Sequence, residues 1–213
     1  MSGETVKASE VQHPLMRHHV SRLRDVATQP EEFRSCVRRL AELLAYEATQ
    51  DLALEPLEVT TPLTAMTGSK LAQRIALVPI LRAGLGMVEP ILDLIPSSEV
   101  WHLGLYRDEA TAQPVEYYSK LPESEPSDVA LVLDPMLATG GSACAALSAL
   151  QRWGVERCQV LSIIAAPEGI EEVSRLFPDV SIHVCAIDEQ LNANKFIVPG
   201  LGDAGDRIFN TQR

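Results

Sequence analysis

Between Val129 and Ala165 the chain reads as an apolar strand, a glycine-containing loop, an alanine-rich helix and a second apolar strand. Val129-Ala-Leu-Val-Leu133 and Val160-Leu-Ser-Ile-Ile-Ala165 are of strand length and apolar at every turn of the pleat except Ser162. Strands of that kind are covered on both faces, as in parallel sheets flanked by helices. The segment between them, Ser142 to Trp153, has helical length and composition. This βαβ unit excludes an all-helical bundle and an antiparallel sandwich, and it sets the terms for everything around it.

The neighbouring segments agree with it. Ile75-Ala-Leu-Val-Pro-Ile80 and Trp101-His-Leu-Gly-Leu-Tyr106 predict further strands, Ile170 to Phe177 a short helix, and Ser181-Ile-His-Val-Cys-Ala-Ile187 another strand. Strands and helices alternate, so the expected fold is α/β, with a mostly parallel central sheet flanked by helices. Upstream, Thr28 with Glu31 spells a capping box, and Phe33, Val37, Leu40 and Leu44 repeat at three or four residues. These predict a helix from about Thr28 to Gln50 with one buried stripe. A second short helix is expected between the Thr61-Pro-Leu63 turn and Ile75. Leu121-Pro-Glu-Ser-Glu-Pro126 is expected to join the two arms of a hairpin flap. Residues 1–12 are polar and aperiodic and are expected to be a flexible leader, with a single domain over 13–213.

Composition narrows the function. The 213 residues include 18 Lys+Arg against 29 Asp+Glu, a formal net charge of −11. That balance repels phosphate backbones and, with no Lys/Arg-rich run, argues against a nucleic-acid partner. No run of 18 apolar residues marks a membrane span, and the N-terminus lacks the pattern of a secretory signal, so no membrane partner and a cytoplasmic location are expected. Cys36, Cys144, Cys158 and Cys185 stand too far apart in sequence for a Cys-x-x-Cys element and are expected to be buried free thiols, with no metal ligands among them.

The chemistry concentrates where the first strand of the βαβ unit ends. Asp134, Pro135, Met136, Leu137, Ala138, Thr139, Gly140, Gly141 and Ser142 lie between that strand and its helix, the place where ligands of open α/β sheets bind. The amides of Ala138 to Ser142, with two hydroxyls, can converge on a monophosphate at the helix N-terminus. The spacing matches neither a triphosphate P-loop nor a dinucleotide fingerprint. Asp134 is suited to accept hydrogen bonds from the vicinal hydroxyls of a sugar. Arg82 and Arg107, each just past a strand, are the cations best placed for additional phosphate. Phe196 to Arg207 holds three glycines and a proline after the last strand, a shaped loop able to read a planar base by its edge. Asp203 and Asp206 add negative charge there.

In this order, Val78-Pro-Ile-Leu-Arg-Ala-Gly-Leu-Gly-Met87, Gly104-Leu-Tyr-Arg-Asp-Glu109, Asp134 to Ser142, Ala166-Pro-Glu-Gly169 and Pro199-Gly-Leu-Gly-Asp-Ala-Gly-Asp-Arg207 resemble the uracil phosphoribosyltransferases. His13-Pro-Leu, Leu23-Arg-Asp25, Tyr46-Glu-Ala-Thr49 and Thr61-Pro-Leu63 extend the resemblance over essentially His13 to Arg213. It implies a type I phosphoribosyltransferase fold with a small hood and a hairpin flap. It further implies transfer of a 5-phosphoribosyl group from 5-phosphoribosyl 1-diphosphate (PRPP) to uracil, with Mg²⁺ carried mainly by the diphosphate substrate.

By the same resemblance Asp134 to Ser142 hold the ribose phosphate, and Arg82 and Arg107 meet the diphosphate. Ile197 and the Gly202-Asp203-Ala204 backbone hold uracil, with Asp203, Arg107 and Asp134 as the catalytic residues. A homo-oligomer and a GTP activator also come with the family, though no residue here identifies either. A backbone that reads the uracil edge leaves cytosine, with reversed polarity, unpaired, so negligible cytosine turnover is expected. The alternatives are a phosphoribosyltransferase for another base and a PRPP-sensing RNA-binding regulator. Three places depart from the family pattern: Phe196 for tyrosine, Asn194-Lys195 for a residue-glycine pair, and Asn210 for glycine. Asn tolerates left-handed backbone, so the turn at Asn210 is expected to survive.

Overall fold

The structure is a computed structural model that describes residues 8–107, 114–119, 121–122 and 124–211, with backbone alone for 105–107 and 114–119. In chain order the elements are β1 (Ser9–Glu10), α1 (Pro14–Arg24), α2 (Pro30–Ala48), β2 (Leu54–Thr60), β3 (Ala65–Leu71), β4 (Ile75–Pro79), α3 (Leu85–Leu94), β5 (Glu99–Val100), β6 (Leu103–Arg107) and β7 (Pro114–Ser119). There follow β8 (Val129–Leu133), β9 (Met136–Leu137), α4 (Gly141–Trp153), β10 (Arg157–Ala165), α5 (Pro167–Leu176), β11 (Ser181–Ile187), β12 (Gln190–Leu191), β13 (Ile197–Val198) and α6 (Ala204–Phe209).

The main sheet is parallel throughout, in the order β1-β11-β10-β8-β4-β5, with β9 also pairing β10. Ser9 and Glu10 pair with His183 and Val184, so the sheet edge takes in residues ahead of His13. Leu77, Leu131, Leu133 and Leu161 face a core shared with α1, α2, α3 and α6. Ala76, Val78, Ala130, Val132 and Val160 face a second core under α4 and α5. Both faces are dry, which is why these strands read as unbroken apolar runs. Each fully buried leucine contributes roughly 1.5–3 kcal/mol of transfer free energy.

Local signals account for most of the helices. Pro14 and Pro30 stand at first-turn positions, where a missing N–H costs nothing. In α1 His13 caps the start, its Nδ1 accepting the Leu15 N–H at 3.2 Å, and Met16, Val20 and Leu23 form the buried stripe. The expected capping box at Thr28 does not form. The cap of α2 is Gln29, and the Thr28 hydroxyl instead donates to the Arg22 carbonyl at 2.6 Å, tying the α1–α2 turn together.

Two expectations are corrected. No helix lies between the Thr61-Pro-Leu63 turn and Ile75: β2 and β3 pair as an antiparallel hairpin from Leu54↔Leu71 to Thr60↔Ala65. The polar loop around Pro126 does not join hairpin arms. The arms are β6 and β7, paired from Leu103↔Ser119 to Arg107↔Pro114, and that loop follows them. Proline and charge mark a break in regular structure without saying which way the chain goes next.

Candidate active site

The chain leaves β4 through α3 toward β5 on one side, and leaves β8 through α4 toward β10 on the other. The connections therefore part company between β4 and β8, which opens a crevice at the carboxyl ends of these two neighbours. A cleft of about 310 Å³ lies there, lined by Ile80 to Ala83 after β4, by Asp134, Met136 and Ser142 after β8, and by Asp203, Ala204 and Gly205 where α6 begins. Three segments remote in sequence thus share one cavity, among them the two on which the sequence reading depends most, Asp134 and Asp203.

On the β8 side the strand is interrupted before β9 resumes beside β10. The Asp134 N–H donates to the Leu161 carbonyl, and the Pro135 carbonyl accepts from both Ile163 and Ile164. Proline suits the break because no donor is needed there. The Met136 N–H donates to Asp134 Oδ1 at 3.1 Å. Burial pushes the Asp134 carboxyl up to about 7, against the opposing pull of that donor.

Beyond it a 70 Å³ recess is lined by Asp134, Met136 to Ser142 and Ala143. Gly140 caps α4 with φ +79° and offers no side-chain cap. Among the described residues no hydrogen bond is assigned to the N–H groups of Thr139 through Ser142, which leaves them for an anion at the start of the helix. The Ala138 N–H, expected in the same cup, instead donates to the Met136 carbonyl at 3.1 Å. Leu137 and Pro135 are buried and support the loop from below.

Arg82 is exposed at the cleft, 3.1 Å from Asp206 Oδ1 and 5.9 Å from the centroid of the Phe209 ring. The Leu81–Arg82 peptide is cis. Asp206 also accepts from the Thr211 hydroxyl at 2.6 Å, and that bond together with Arg82 holds its carboxyl below the usual range. Asp203 caps α6 by accepting the Asp206 N–H at 2.9 Å. Arg107 ends β6 opposite Pro114, but its side chain lies outside the described residues, as do Asp108 and Glu109 of the same motif.

Ile197 is buried in the main core and lines neither large cavity, so any part it plays in base reading falls to its main chain. Gly202 lines a second cavity of about 340 Å³ behind the loop, with Arg24, Thr28, Pro199, Gly200 and Arg207. The Phe196 ring is exposed and lines neither cavity. Lys195 and Asn210, two of the departures from the family pattern, have φ +64° and +55°, the left-handed region where glycine is expected.

Several supporting residues had no role assigned from sequence. A Cβ on Gly169 would stand 2.4 Å from the Ala138 carbonyl oxygen, so the start of α5 closes on the back of the phosphate loop only because that side chain is absent. Its motif, Ala166-Pro-Glu-Gly169, was the available signal. Glu168 accepts the Leu191 N–H at 2.9 Å and ties the small β12–β13 hairpin to the same helix. Arg207 is buried under the loop, donating to the carbonyls of Leu23, Leu201, Asp25 and Thr28 and stacking on Phe33. Asp188 carried no sequence signal at all. Among the described residues no three His, Cys, Asp or Glu side chains are grouped to hold a metal ion.

A family model described as uracil phosphoribosyltransferase matches residues 10–211. A uracil phosphoribosyltransferase of Roseiflexus sp. (strain RS-1) is 58% identical over 200 residues, covering 94% of this chain and 96% of that protein. The solved structure of the AQ2163 protein from Aquifex aeolicus superposes with a TM-score of 0.90 at 39% identity, covering 95% of this chain and 97% of that one. A mutant hypoxanthine phosphoribosyltransferase from Trypanosoma cruzi, at 11% identity, TM-score 0.51 and coverage of 74% and 75%, shares the fold and no more.

Proposed function

The chain belongs to the uracil phosphoribosyltransferase family, and from that membership we propose how its own residues divide the reaction. It transfers the 5-phosphoribosyl group of PRPP to uracil, giving UMP and diphosphate, on a type I phosphoribosyltransferase fold. The observation that carries the allocation is the shared cleft: Arg82, Asp134, Ser142 and Asp203 to Gly205 line one cavity at the sheet's switch point.

The free amides of Thr139 to Ser142 take the 5-phosphate, and Asp134 accepts the ribose hydroxyls. Bond breaking at C1′ leaves positive charge on the ring and negative charge on the departing diphosphate. Arg82 and Arg107 face the latter, and Mg²⁺ enters as part of the PRPP substrate, where it neutralises the leaving oxygens. Asp203 carries negative charge at the reacting centre. The main chain of Ile197 and of Gly202 to Ala204 reads uracil, whose ring nitrogen forms the new bond to C1′ as its proton leaves.

Coupled measurement of UMP and diphosphate formation from uracil and magnesium–PRPP tests the assignment. Asp203→Asn and Arg107→Ala are expected to lower kcat by about 100-fold or more with the circular dichroism spectrum intact. Variants within twofold of the wild type would overturn the roles given to these residues. A homo-oligomer is supported by the β2–β3 hairpin, which pairs with no other strand and exposes Leu54, Leu57, Val59 and Met66. A cytoplasmic setting, where thiols stay reduced, suits four cysteines that are all free and buried. Activation by GTP rests on the resemblance alone, and the same assay with and without GTP decides it.

A further inference from the structure

We propose that the Arg24–Asp188 ion pair positions the base-reading loop and thereby sets the preference for uracil over cytosine, although neither side chain lines the cleft; this rests on the assignment of the Ile197–Ala204 main chain to the base. Arg24 ends α1 and Asp188 follows β11, and the pair is bidentate. Arg24 Nη1 donates to Asp188 Oδ2 at 2.8 Å, and Nη2 donates to Oδ1. The Asp188 side chain is 3% exposed and that of Arg24 25%.

Both members use their remaining capacity on Gly200, one on the peptide group that precedes its Cα and the other on the peptide group that follows it. Asp188 Oδ2 accepts the Gly200 N–H at 2.9 Å, and Arg24 Nη1 donates to the Gly200 carbonyl at 2.8 Å. Gly200 has φ +65°, and a Cβ there would stand 2.2 Å from the Ile197 carbonyl oxygen, so the turn admits no other residue. One residue on, Arg207 holds the Leu201 carbonyl at 2.8 Å. The loop is therefore gripped at Gly200 and Leu201, beside the second cavity that Gly202 also lines, and Asp203 and Ala204, next along the chain, line the cleft.

A buried ion pair adds little net stability, because desolvating two charges offsets most of their attraction. What it supplies here is direction. Hydrogen bonds weaken steeply as they bend, so anchoring the two successive peptide planes that meet at Gly200 fixes the backbone torsions of that residue and with them the direction in which the chain leaves it. Uracil and cytosine differ only by the exchange of donor and acceptor on one edge, and a main chain can tell them apart only while its own N–H and C=O keep their orientation. The pair acts on the two amides either side of Gly200, between Ile197 and Gly202, and makes no hydrogen bond to the Asp134–Ser142 turn. Its loss therefore separates uracil binding from PRPP binding.

Arg24→Lys keeps the charge but replaces the planar two-nitrogen fork by a single ammonium on a shorter reach, so the bidentate geometry is lost, and Asp188→Asn keeps the shape without the ion pair. Steady-state kinetics with uracil, cytosine and magnesium–PRPP are compared with those of Arg157→Lys, the same exchange at a remote ion pair in which Arg157 Nη2 meets both Asp51 oxygens, which controls for general destabilisation. Both loop variants are expected to raise the uracil KM about tenfold or more, to leave the PRPP KM within about twofold, and to lower the uracil-to-cytosine ratio of kcat/KM at least about tenfold. The control keeps the wild-type ratio. An unchanged ratio in folded Arg24→Lys, or equal rises in both KM values, would overturn the proposal, and Arg24→Lys decides alone if Asp188→Asn does not fold. A wild-type chain that used both bases equally would remove the base-reading assignment itself, and the proposal with it.

Discussion

Asp134 is the cleft carboxylate that burial perturbs most clearly. Its carboxyl ordinarily titrates at 3.8 and is pushed to about 7 in the folded chain by burial. Between those values the folded state holds a proton that the unfolded chain releases. This group's stabilising effect is thus full below about pH 4 and is lost as the pH rises toward 7, a span of at most roughly 4 kcal/mol. Asp134→Asn lacks that dependence. Urea unfolding of the ligand-free protein at pH 5 and pH 8 is expected to show the wild type losing roughly 2–4 kcal/mol relative to the variant, and parallel profiles would contradict it. In the proposed role, ribose hydroxyls that donate to the same carboxyl would favour its charged form and so offset the cost of burying it. At the left-handed positions the sign is opposite. Lys195→Gly is expected to raise Tm by about 2–4 °C, and Asn210→Gly by less, because asparagine already tolerates that backbone. Differential scanning calorimetry of both variants checks the order.

At the scale of elements, the β2–β3 hairpin is the part of the molecule least explained by a single chain. Thr61 organises its turn: its hydroxyl donates to the Thr64 carbonyl at 2.8 Å and accepts the N–H groups of Leu63 and Thr64. Yet a lone two-stranded hairpin is at best marginally stable in water. Val59 stands opposite Met66, and Leu57 lies on the same face, where all three are exposed. The proposed contact with a second copy would bury that face. Leu57→Glu is expected to raise the dissociation constant of the oligomer at least about tenfold, or 1.4 kcal/mol, read by sedimentation velocity. An unchanged mass distribution would exclude the hairpin from the interface. The β6–β7 hairpin has a different setting: fully buried Leu103 bridges to Ile80, which joins its base to the strand leading to Arg82.

Over the whole molecule, what was legible in the sequence is what depends on neighbours in the chain. The apolar run before Asp134, the helix after Gly140 and the strand Ser181–Ile187 stand where periodicity puts them, because pleat and helix repeat over two to four residues. The glycine-containing turn from Asp134 to Ser142 lies between that apolar run and that helix, as its position in the chain implies. The β2–β3 hairpin was misread because both its faces are exposed, so no burial pattern marks it as strand. The partnership of Arg24, Asp188 and Gly200 spans 176 positions and joins three segments with no common local pattern. By itself the sequence determined the alternating elements, the glycine-containing turn after the apolar run Val129–Leu133 and the family to which the chain belongs. Only the tertiary structure decided that Asp134 and Asp203 share a cavity, that Asp134 holds its proton near neutrality, and that two arginines grip the loop at Gly200 and Leu201. Hydrogen bonding within an element is local, whereas burial and ion pairing depend on which distant segments the packed sheet brings together.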